Sequence, residues 1–132
     1  MVDGIYNAKI ESTCLGLFDG TGPLYFYLRT IFYDNDTTSF STPNYCADFT
    51  TGLGHFHTPA LGPSEYISYP YTDKLIRQIL KTVGVNKWED LPNQYLRIKI
   101  TDGVISDIGH IIKNQWFNLK KFFEQNPEVD YE

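Results

Sequence analysis

Tyr95, Arg97, Lys99 and Thr101 alternate with Leu96, Ile98 and Ile100, and the returning strand adds either His110 or Gly109 to the side of the first four, followed by Asn114 and Trp116. In a strand, that alternation puts an aromatic ring, a guanidinium and an ammonium on one face and the aliphatic residues on the other. Aromatic faces stack on a nucleobase, while cationic side chains make charge-assisted hydrogen bonds to phosphate. Arg97 is the discriminating residue, because lysine cannot reproduce a two-point contact from a planar fork. The predicted ligand-binding residues are therefore Arg97, Lys99, His110, Trp116, Tyr95 and Asn114, and the ligand class is a small nucleotide-like molecule.

Other chemistry finds weaker footing. His55-Phe56-His57 follows Cys46 and Asp48, and in an extended segment both histidines would share a side, as a zinc or iron site could use. No Cys-x-x-Cys or His-Glu-x-x-His spacing accompanies them, so they read as loop histidines and no metal is expected. Asp19-Gly20-Thr21-Gly22 is too short for a phosphate loop and lacks the following helix. There is no Gly-x-Ser-x-Gly, and neither Cys14 nor Cys46 has a catalytic signature around it. Glu89-Asp90 reads as helix-start charge. The expectation is a protein that is not an enzyme, with no catalytic residues and no cofactor.

The elements that must position these groups follow from pattern and punctuation. Ile5 to Phe18 and Leu24 to Tyr33 read as two strands joined across Asp19 to Pro23, and a third is expected within Phe40 to Phe49, after Pro43. Residues 50–70 carry Gly52, Gly54, Pro59, Gly62, Pro63 and Pro70 and read as a long loop, a flap or an interface arm. Leu75, Ile76, Ile79, Leu80 and Val83 make one apolar stripe, which predicts a helix over 71–84 with Thr72 as its cap and Gly84 as its left-handed terminator. Asn86 and Glu89 have capping-box spacing. Asp102-Gly103 predicts a two-residue turn in a hairpin over 95–112, with Leu96, Ile98 and Ile100 inward. Asn118 caps a short helix over 118–125, and an acidic tail occupies 127–132. The expected fold is one α+β domain over 1–132, an antiparallel sheet of about five strands packed against one main amphipathic helix and a short C-terminal helix.

Composition narrows the partners. A chain of 132 residues is long enough to bury a sizeable core without staples, and its 16% aromatic content is above the ordinary and supplies large, rigid side chains for a sheet core or for contact surfaces. Two cysteines, no leader and no long apolar run predict free thiols in the cytoplasm and no membrane partner. The net charge of −5 is uneven: residues 1–66 hold two basic against seven acidic side chains, and residues 74–121 hold nine basic against four acidic. Long duplex nucleic acid is not the expected partner, since an overall negative molecule is repelled by the phosphate lattice. A small anion suits a local basic patch. The aromatic surplus, the long loop and the opposed charge balances predict a homo-oligomer.

The run Ile79-Leu80-Lys81-Thr82-Val83-Gly84-Val85-Asn86-Lys87-Trp88-Glu89-Asp90-Leu91, the basic strand after it, then Ile108-Gly109-His110-Ile111-Ile112 and Trp116-Phe117 resemble a family of small, mostly uncharacterised bacteriophage proteins. The resemblance covers roughly residues 71–124, with an echo at Lys9 to Thr13 and Leu15-Gly16. In size, and in a sheet followed by helices, the chain is also similar to the phage Thoeris anti-defence sponge proteins. That similarity implies a non-catalytic oligomer which sequesters cyclic ADP-ribose-type or cyclic oligonucleotide immune signals in the host cytoplasm. A counter-defence protein of the anti-CRISPR kind, binding a host protein through the acidic half, and a phage accessory protein are the other expected classes. Thr50 to Pro70 has no counterpart in the phage family, and Pro92-Asn93 stands where a lysine-glycine turn is usual.

Overall fold

A computed structural model describes residues 3–20, 22–32 and 45–128. Six strands form one sheet: β1 Gly4–Leu17, β2 Leu24–Phe32, β3 Tyr45–Gly52, β6 Tyr95–Thr101, β7 Val104–His110 and β8 Trp116–Asn118. Their order is β3-β2-β1-β6-β7-β8, with every neighbour antiparallel. Two short strands, β4 Gly54–His57 and β5 Glu65–Ser68, pair only with each other among the described residues. Helix α1 spans Thr72–Val83 and α2 spans Leu119–Gln125. No helix among the described residues is long and apolar enough to cross a membrane.

The predicted hairpin forms as expected. Asp102 and Gly103 have φ of 54° and 81°, the paired positive values of the turn that matches strand twist. Leu96, Ile98 and Ile100 are buried and Lys99 is exposed. Two bulges then set which side chains face inward. Glu11 is left over between the Ile10–Thr30 and Ser12–Arg29 pairs, and Ser106 between the Lys99–Asp107 and Ile100–Ile105 pairs. Each extra residue shifts the alternation by one, so Ile105 and Ile108 both reach the core despite their odd spacing.

That core lies on one face of the sheet. It joins Ala8 and Ile10, Phe26 and Leu28, Phe49, the β6 and β7 aliphatics and Phe117 to Leu75, Ile79 and Val83 of α1. The sheet curls enough for Phe49 of β3 to meet Phe117 of β8, ring centres 6.0 Å apart. The other face carries Ile5, Asn7, Tyr95 and Lys99, all exposed.

Several expectations are corrected. The sheet has six strands rather than about five, because Trp116–Asn118 adds an edge strand too short to show a period. Residues 50–70 are not a loop: β3 runs to Gly52, and β4 and β5 make a hairpin. Gly54 opens β4 opposite Ser68, and the other glycines and prolines flank the two four-residue strands instead of interrupting them. The hairpin over 95–112 ends at His110, whose ring accepts the next turn's amides. Thr72 does not cap α1; it is the first helical residue, and its hydroxyl donates to the Tyr69 carbonyl at 2.8 Å. The Asn86–Glu89 capping box is absent too, since the short turn at Trp88–Asp90 starts from Lys87 without a side-chain cap. Gly84 does terminate α1 with φ 97°, and Asn118 caps α2 by accepting the Lys121 amide at 2.8 Å. The parts of the expected strands at Tyr33 and 40–44, and the tail beyond Glu128, lie outside the described residues.

Candidate functional site

The six residues chosen from sequence do not converge. Arg97 lies opposite Gly109, and Gly109 opposite Trp116, so these three form a row across β6, β7 and β8. The Trp116 ring lies flat over the bare Gly109 backbone, and the Arg97 guanidinium stacks on it 4.6 Å from the ring centre. Arg97 Nε donates to the His110 carbonyl and Nη2 to the Lys113 carbonyl, both at 2.7 Å. The edge that would fork a phosphate is therefore occupied by backbone. Here arginine clamps the turn from β7 to β8.

His110 pairs with Leu96, so it faces the core side, away from Arg97. Its Nδ1 accepts the amides of Ile112 and Lys113 at 3.0 and 2.9 Å, which leaves the proton of the neutral ring on Nε2, against Gly84. Tyr95 stands exposed beside Lys9, and Asn114 is exposed in the turn before β8. Among the described residues, neither lines the grooves that Lys99 and Trp116 line, and those two line different ones.

Those two grooves make the candidate site. One, about 390 Å³, lies between α1, α2 and β8 and is lined by Lys74, Gln78, Trp116, Lys121 and Gln125. The other, about 600 Å³, has Lys99 and Lys120 at its sides, hydroxyls from Thr51, Thr101 and Ser106, and Ile105, Leu119 and Phe123 as apolar surface. Asp107 and Asn118 line both grooves and form the wall between them.

That wall is held from several directions. Asp107 Oδ1 accepts the Ser106 hydroxyl at 2.7 Å and the Asn118 amide at 3.1 Å, while Asn118 Oδ1 takes the Lys121 amide. Among the described residues, Asp107 is the one carboxylate lining either groove, against four lysines. Lys74 donates to Asn126 Oδ1 at 3.0 Å; Lys99, Lys120 and Lys121 make no side-chain hydrogen bond or ion pair among the described residues. A cluster of under-neutralised ammonium groups raises the local concentration of anions even on a molecule of net negative charge. Lysine serves as a point charge for phosphate, amides and hydroxyls can orient a sugar, and aromatic surface accepts a base.

The alternative chemistry is dispersed. No group of three His, Cys, Asp or Glu side chains gathers as metal ligands among the described residues. Asp48 instead holds Arg29 through two contacts of 3.1 and 3.3 Å. The Cys46 thiol donates to Glu11 Oε2 at 3.7 Å, and burial, then the Glu11 carboxylate, push its pKa up. His55 Nδ1 lies 3.3 Å from Glu128 Oε2, within ion-pair reach but without the alignment of a hydrogen bond.

The fold and grooves thus define an antiparallel α+β protein with a basic, aromatic-edged cleft astride one buttressed carboxylate. No family model, curated protein or solved structure matches the chain.

Proposed function

We propose that this is a non-enzymatic binding protein that holds a small, phosphate-bearing, nucleotide-derived molecule in the paired lysine grooves. Its role is sequestration of an immune signal, of cyclic ADP-ribose or cyclic oligonucleotide type, by a phage protein in the host cytoplasm. The observation that carries this reading is the convergence of Lys74, Lys99, Lys120 and Lys121 on two grooves whose common wall is already internally bonded. Lys99, Lys120 and Lys121, which have no side-chain partner among the described residues, favour a ligand that supplies the counter-charge. Two grooves on opposite sides of one wall suit a ligand with more than one phosphate. The resemblance to phage counter-defence proteins supplies the biological role.

Denaturing protein purified from cells that make such signals, then analysing the released fraction by mass spectrometry, tests the reading. A nucleotide-like anion near one equivalent per site is the expected result. An empty fraction, together with capture of a stoichiometric host protein, would replace small-molecule sequestration with protein binding.

A further inference from the structure

The β4–β5 hairpin is weakly supported. It forms its own two-stranded sheet, and a free two-stranded hairpin is marginal in water. Its ties to the body include Tyr66, whose hydroxyl donates to the Leu53 carbonyl at 3.0 Å and accepts the Leu24 amide at 3.3 Å, and the His55–Glu128 contact. The loop at its far end contains Pro59 and Pro63, and between them Leu61 is 100% exposed. Prolines stiffen that loop, so the leucine is presented as a fixed apolar knob.

An apolar groove of about 540 Å³ opens beside the base of the same hairpin. Its walls are Phe18, Pro23 and Tyr25, with the bare backbones of Gly52 and Gly54 between, and none of its lining residues among the described ones is charged. Phe18 is 58% exposed and meets Tyr25 edge to face. Phe56 and Tyr66 extend the aromatic surface along the hairpin. With each ring offering roughly 200 Å², the exposed fractions of Phe18, Phe56 and Tyr66 amount to about 300 Å², at the lower end of the patches that serve as contacts. The hairpin cannot fill its own groove. Gly54 sits at the base, and four strand residues carry the loop roughly 13 Å away from it.

We infer that two copies of the chain exchange these hairpins, each Leu61 entering the Phe18–Tyr25 groove of the other. A reciprocal exchange covers both knobs and both grooves and supports both hairpins, which is the closed two-fold arrangement. Thr51 lines this groove and the Lys99–Lys120 groove, so the incoming hairpin lies next to the ligand site.

Sedimentation velocity over a dilution series tests this without any ligand, so its outcome is independent of the binding reading. The expected result is a reversible dimer with a dissociation constant on the order of micromolar, as small interfaces give. Leu61→Asp and Phe18→Asp should each weaken it roughly tenfold or more. Both positions are exposed, so circular dichroism should show unchanged folding. An equimolar mixture of the two variants should recover part of the association, because one knob and one groove remain intact between unlike copies. A wild-type monomer at high micromolar concentration, a Leu61→Asp dimer of full strength, or a mixture no better than either variant would overturn the inference.

Discussion

The Arg97 guanidinium stacks 4.6 Å from the centre of the Trp116 ring, and the two meet over Gly109, where the chain between them has no side chain. A pair that reads in sequence as a phosphate-and-base site is, in the fold, a brace between β6 and the edge strand β8.

Removing the brace should therefore cost stability before it costs binding. Arg97→Ala deletes two charged hydrogen bonds to backbone carbonyls, and about 1.5–3 kcal/mol should be lost in urea denaturation. Arg97→Lys should recover only part of it, since an ammonium cannot span both carbonyls in one plane. Unchanged stability with abolished ligand binding would return Arg97 to the ligand site.

Gly109 should resist enlargement. A Cβ there would stand 2.6 Å from Trp116 Cε3, so Gly109→Ala must displace the ring, at about 1–3 kcal/mol. Trp116→Leu removes the obstructing ring, so the double variant should be more stable than the sum of the two single losses implies, a coupling readable by denaturation. Strict additivity would show that the ring does not rest on Gly109.

Part of this arrangement was legible in the residues. The hairpin at 95–110 announced itself by strict alternation and by Asp102-Gly103, and α1 by its stripe and Gly84, because both signals depend on local geometry alone. The bulges at Glu11 and Ser106 left no mark, since an unpaired residue is defined by its partner strand. That hidden parity explains why His110 could be expected beside Arg97 and is found on the opposite face. The grooves were illegible for a related reason: Lys74, Lys99 and Lys120 come from α1, β6 and α2 and meet only through tertiary packing. Excess positive charge over 74–121 was the available trace of them.

Cys46 should behave as a sluggish thiol. Burial and the Glu11 carboxylate both disfavour the thiolate, so the midpoint of its alkylation rate against pH should lie above the ordinary cysteine value. Replacing Glu11 with Gln removes the negative neighbour and should move that midpoint down, giving faster labelling at mildly alkaline pH. Peptide mapping of iodoacetamide-treated protein separates Cys46 from Cys14. A midpoint that ignores the Glu11 substitution would contradict the contact.

Calorimetric titration of cyclic ADP-ribose isomers and cyclic di- and trinucleotides into wild type and into the Lys99→Glu/Lys120→Glu variant is the most direct measurement. Both lysines are exposed, so the variant should stay folded. The account predicts saturable heat for at least one of these ligands, weakened by added salt, and a loss of about 1.5–3 kcal/mol for each charged contact reversed. Absence of heat with every one of them on folded wild type, or equal affinity in the variant, would contradict it.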